Sequence, residues 1–122
     1  MQQSHPYQTI AKLLLRSIDQ KDWNVVESLM HPKAKYEVSG YKPFLDRDAV
    51  MNYYRNLWPI ASGEHYIESM MVGKGKAILW GRFVGKKVDG YELLLNFADL
   101  LFFDENKKIK QRRVYNCELK TY

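Results

Sequence analysis

A chain of 122 residues with 46% hydrophobic and 14% aromatic side chains is long enough for one domain, residues 1–122, with a substantial core, which excludes a disordered tract. No apolar run approaches the roughly 20 residues of a membrane span, and the opening MQQSHPYQTI lacks the basic and apolar stretches of a secretion signal. Cys117 is alone, so no disulfide framework and no cysteine-based zinc site is expected; the expectation is a cytoplasmic protein without metal or cofactor.

In chain order, residues 7–19 place Ile10, Leu13, Leu14 and Ile18 at helical spacing, which predicts a first amphipathic helix. Asp22 is positioned to cap a second, shorter helix carrying Trp23, Val26, Leu29 and Met30, and His31 before Pro32 stops it. His31 then reads as a cap near the last helical carbonyls. A short extended piece, residues 34–38, follows. Asp46 is an N-cap for a third helix, with Leu45 and Val50 placed as a hydrophobic staple and Val50, Tyr54, Leu57 and Trp58 along one face up to Pro59.

Beyond Glu64 the period changes to two. Residues 66–72, 77–84, 91–103 and 109–119 read as strands separated by turn signals at Gly73 to Gly75, Gly85 to Gly90 and Asp104 to Asn106. Short connections between long strands predict an antiparallel meander, and helices followed by a curled sheet predict an α+β fold. The sheet should bend around three N-terminal helices and enclose a cone-shaped pocket.

The segment LLLNFADLLFF, residues 93–103, contains only two polar residues, Asn96 and Asp99. Alternation puts Asp99 on one face with Leu93, Leu95, Phe97, Leu101 and Phe103. An ionised carboxylate there costs several kcal/mol unless it is paired, hydrogen-bonded or protonated. Asp99 is therefore the leading candidate for a functional group.

Three segments, IDQKDWNVVESLMHPKAKYEV, FLDRDAVMNYYRNLW and NFADLLFFDENKKIKQRRVYN, together resemble the nuclear transport factor 2-like superfamily in its SnoaL-like and ketosteroid-isomerase-like branch. The resemblance implies a cone-shaped α+β barrel that holds small apolar ligands and dimerises through its sheet. It also implies a role for the Phe97-Ala98-Asp99 segment, which falls where ketosteroid isomerases keep a protonated aspartate, and for Tyr54 as a supporting tyrosine. The isomerase base falls at Val38 and its oxyanion tyrosine at Leu14, so the isomerase mechanism does not carry over. The Asp-Arg-Asp set of limonene-epoxide hydrolases loses one carboxylate near Val114, and the histidine pair of scytalone dehydratases has no counterpart.

Parity leaves both faces of residues 77–84 open, and matching to the superfamily turns Trp80 and Arg82 inward. The same matching turns Arg112, Val114 and Asn116 inward on the last strand. The expected pocket has Asp99 as catalytic acid or base and Arg82, Arg112 and Asn116 as its other polar groups. Trp80, Phe97, Leu101, Tyr54, Trp58 and Tyr36 form its wall. Either Asp99 pairs with Arg82 or Arg112 and its role is structural, or it stands apart with a raised pKa and acts as a general acid. His65, at the start of the first meander strand, reads more simply as a strand-end histidine than as an acid–base group.

The expected function is a small-molecule-binding domain for an apolar or weakly anionic ligand, with cofactor-free isomerase, cyclase or dehydratase chemistry as its enzymatic form. A non-catalytic homodimeric binding or assembly module is the alternative. The net charge of +5 raises nucleic-acid binding. The basic turn residues Lys74, Lys76, Lys107 and Lys108 lie at one end of the meander and Lys86 and Lys87 at the other, so no continuous basic stripe forms. The outer face, carrying Leu94, Asn96, Ala98, Leu100 and Phe102 with Leu79, Phe83, Tyr115 and Cys117, is too apolar for water and predicts a homodimer through the sheet.

Overall fold

The structure is a computed structural model that describes residues 5–119; residues 1–4, part of the segment read above for a secretion signal, lie outside the described residues. The order of elements is α1 (Pro6–Asp19), α2 (Trp23–Ser28), β1 (Met30–Val38), α3 (Arg47–Asn52), a π-helical turn (Tyr53–Leu57), then β2 (Ile60–Gly73), β3 (Lys76–Lys87), β4 (Glu92–Phe103) and β5 (Ile109–Glu118). No helix among the described residues is long and apolar enough to cross a membrane.

Local chemistry starts and stops these elements much as the spacing predicts. Pro6 opens α1 with its ring already set for a helix. Ala11, Leu14, Leu15 and Ile18 form the buried stripe of α1 against the sheet. Asp46 caps α3, its Oδ1 accepting the Ala49 N–H at 2.8 Å. Three local expectations are corrected. Asp22 stands at the N-cap of α2 without a side-chain capping bond. Leu45 is 64% exposed, so no staple forms on Val50. His31 lies inside β1 and caps no helix; its Nδ1 accepts the Lys33 N–H at 2.9 Å.

The five strands form one curved sheet in the order β1-β5-β4-β3-β2. The four-strand meander is antiparallel, but β1 runs parallel to β5, with Tyr36 opposite Arg112 and Val38 opposite Val114. The expected all-antiparallel sheet is thus a mixed one. A parallel neighbour needs a long crossover, and here α3 and the whole β2–β4 run supply it. A register shift in β2 between Ile67 and Ser69 breaks the regular ladder at the sheet edge and adds to its curvature.

The core lies between α1, α2, α3 and the concave face of the sheet, where Leu14, Ile18, Met51, Leu79, Leu101 and Ile109 are nearly inaccessible. Burial of each such side chain stabilises the fold by about 1.5–3 kcal/mol.

Candidate functional site

Toward the open end of the sheet the helices no longer fill the concavity, and a cavity of about 610 Å³ remains. Ile18, Trp58, Ile60, Phe83, Leu93 and Leu95 give it apolar walls. Its polar lining comes from Tyr36, Tyr53, Tyr54, His65, Arg112 and Asn116, and Tyr41, Lys42, Leu57 and Lys87 belong to its rim. No aspartate or glutamate is among the lining residues. The π-helical turn brings the adjacent Tyr53 and Tyr54 both to the cavity. Phe83 lies across Gly63 and Gly85; a Cβ on Gly63 would sit 2.2 Å from its ring and one on Gly85 2.6 Å from it.

Set into this wall is a buried polar cluster. Asp99 on β4 and Arg112 on β5 are diagonal neighbours on the concave face, since Asp99 is opposite Val114 and Arg112 opposite Leu101. Arg112 Nε donates to both carboxylate oxygens at 3.0 Å and its Nη2 donates to Oδ2 at 2.8 Å. Its Nη1 donates to the Tyr54 hydroxyl at 2.8 Å, and its guanidinium stacks over Tyr36 at 4.9 Å. Burial opposes the Arg112 charge, but the Asp99 carboxylate, with Tyr54 and Tyr36, outweighs it and holds the guanidinium pKa well above its usual value. Burial, and then the neighbouring Tyr54, raises the Tyr36 hydroxyl well above the usual phenol. Burial, followed by Tyr54 and Tyr41, pushes Tyr53 up to about 12. Both tyrosines are therefore neutral hydroxyls at physiological pH.

A second pair lies on the other side of the cavity. Asp19, the last residue of α1, accepts the backbone N–H of His65 with Oδ2 at 2.8 Å and meets His65 Nδ1 with Oδ1 at 2.5 Å. The His65 ring packs against Phe83 and edge-on to Phe97, with ring centroids 4.7 and 5.1 Å apart. Both side chains are half-buried, and His65 lines the cavity.

The structure therefore rearranges the expected site. Tyr36, Tyr54, Trp58, Arg112 and Asn116 line the cavity together. Phe97 and Leu101 lie on the same concave face but are buried in the core and do not line it. Asp99 is 1% exposed and is not a cavity-lining acid, because Arg112 occupies both of its oxygens. Trp80 and Arg82 are corrected to the outer face, where Arg82 pairs with Glu68 at 3.4 Å among exposed side chains. The cause is register: Leu79, Gly81 and Phe83 stand opposite Asp99, Phe97 and Leu95, so they share the concave face. Leu79 and Phe83 accordingly leave the expected outer set, and Ile78, Trp80 and Val84 take their place. His65, read as a strand-end residue, is the lining group that the sequence undervalued. Its signal was the alternation Gly63, His65, Ile67 along an inward strand face.

Helices laid across a curved sheet with a cavity in the concave side define the cone-shaped α+β class of nuclear transport factor 2-like proteins. A family model for the SnoaL-like domain matches residues 11–112, and the chain belongs to that family. No curated protein is detectably similar to it in sequence. Among solved structures, it is similar to a protein described as a SnoaL-like polyketide cyclase from Shewanella putrefaciens CN-32. That match has a TM-score of 0.82 and 10% identity, over 93% of this chain and 91% of that one. An LEH-like epoxide hydrolase from M. tuberculosis matches with a TM-score of 0.80 and 12% identity, covering 91% and 82% of the two chains. The epoxide hydrolase/cyclase-like enzyme SalBIII, of pyran ring formation in salinomycin, matches at 0.79 and 15%, covering 91% and 90%. At these identities the likeness is one of fold.

Proposed function

We propose that this chain binds a small, largely apolar or weakly anionic molecule in its conical cavity and works on it by cofactor-free proton transfer, as an isomerase, cyclase or dehydratase of the cytoplasm. The observation that carries the reading is the cavity of about 610 Å³, apolar over most of its wall yet furnished with hydroxyls and an imidazole. Its lysines, Lys42 and Lys87, belong to the rim and suit a weakly anionic end on the ligand. The LEH-like epoxide hydrolase and the epoxide hydrolase/cyclase-like enzyme SalBIII among the structural neighbours fit such chemistry. The test is calorimetric titration with 2-naphthol and 1-naphthoate. One molecule should bind per chain, and Val38→Trp, which fills the cavity from β1, should abolish binding. Failure of the wild-type protein to bind either probe overturns the reading.

The outer sheet face supports a homodimer, and with it the alternative of a non-catalytic dimeric binding module. Ile78, Trp80, Val84, Leu94 and Tyr115 are 38–50% exposed there. Trp80 stands opposite Ala98, which stands opposite Tyr115, so the exposed apolar groups form a row across three strands. In sedimentation, wild type should be dimeric and Trp80→Glu monomeric; a monomeric wild type refutes the interface.

A further inference from the structure

We propose that His65 is the proton-transfer group of the cavity, with Asp19 as its positioning residue, and that the ligand it serves is a neutral carbon or oxygen acid. The inference rests on the cavity being a ligand site and goes beyond it by naming the base.

Ionised Asp19 can only accept hydrogen bonds, and its two oxygens take the backbone and ring N–H groups of His65. In the neutral form of the ring the shared hydrogen then sits on Nδ1 and the lone pair at Nε2. Nε2 makes no hydrogen bond among the described residues, and the side chain lines the cavity. The ring packs against Phe83 and edge-on to Phe97, contacts that restrict its direction before any ligand arrives.

The carboxylates, thiols and aliphatic hydroxyls that could serve as a base are absent from the cavity or occupied, and its lysines, Lys42 and Lys87, lie at the rim. Asp99 is taken up by Arg112, and no carboxylate, cysteine, serine or threonine lines the cavity. Tyr36 and Tyr53 are held protonated. An imidazole positioned by a carboxylate in an apolar chamber is suited to general acid–base work. In the step proposed, Nε2 takes a proton from the ligand, the bonding pair stays on the ligand, and the imidazolium returns the proton at another atom or to water.

The probe reaction is elimination of 5-nitrobenzisoxazole, an apolar carbon acid. Nε2 removes the C3 proton, the C–H pair forms the nitrile as the N–O bond breaks, and the charge leaves on the phenolate oxygen. Wild type should turn the probe over faster than the same concentration of free imidazole. His65→Gln should lower kcat by about 10²-fold or more while 2-naphthol still binds. Asp19→Asn should lower kcat with KM held. Added imidazole should restore part of the rate to His65→Gly, which a merely structural histidine would not allow.

A measurement on the wild-type chain needs no folded variant. Diethyl pyrocarbonate should modify His65, and saturating 2-naphthol should protect it while His5 and His31 continue to react. An unchanged rate in His65→Gln, or equal modification with and without 2-naphthol, overturns the assignment. If 2-naphthol does not bind wild type at all, the cavity reading fails first and takes this inference with it. If 2-naphthol binds and the probe reaction is no faster than with free imidazole, only the assignment of His65 fails.

Discussion

Asp99 and Asp19 are both paired with a basic side chain on the concave side of the sheet, and they differ in what the pair leaves over. Asp99 is completely enclosed, and Arg112 spends Nε and Nη2 on it and Nη1 on Tyr54. Of that pair only the second N–H of Nη1 and of Nη2 is left over, and neither carries a basic lone pair. Asp19 is at a helix end, half-buried, and it consumes only one ring nitrogen of His65. The first arrangement fixes the wall, because two charges in a dry interior are tolerable only when each satisfies the other. The second leaves one ring nitrogen of a cavity-lining side chain without a protein partner among the described residues. A carboxylate's depth in the core is therefore a poor guide to its chemistry; the free valence of its partner is the better one.

The contrast can be broken in order of expected effect. Asp99→Asn nearly preserves shape but strands the buried Arg112 charge, and should cost about 3–5 kcal/mol in chemical denaturation. A loss below about 1 kcal/mol would mean that the pair contributes no more than a surface bridge. Replacing both partners, Asp99→Leu with Arg112→Met, should recover most of that loss, because an apolar pair of similar volume carries no desolvation penalty. The same double variant must also lose the hydrogen bond to Tyr54, so recovery should be incomplete. Asp19→Asn, in a wetter site, should cost only about 1–2 kcal/mol. If it destabilises the protein as much as Asp99→Asn, the two pairs do not differ in kind.

Much of this architecture is legible in the residues, and the failures have a common origin. Period-two alternation turns Asp99 toward the concave face, and Arg112 is among its expected partners, because one face of β4 is continuously apolar. On β3 alternation is uninformative: Ala77, Leu79 and Phe83 oppose Ile78, Trp80 and Val84, and both sets are apolar. Only the cross-strand register with β4 decides, and register is a tertiary fact. Asp19 and His65 are 46 residues apart, so no local spacing connects them. The parallel docking of β1 beside β5 is hidden for the same reason, since its partner lies at the far end of the described chain.

Phe83 lies flat across two glycines, and the space in front of it exists because Gly63 and Gly85 carry no side chain. One methyl group at either position would displace the ring and resize the chamber, and because Phe83 packs on His65 it would also loosen the hold on the imidazole. Chamber size and the aim of the imidazole are thus coupled through a single ring, so a change that enlarges or narrows the space in front of Phe83 also acts on His65.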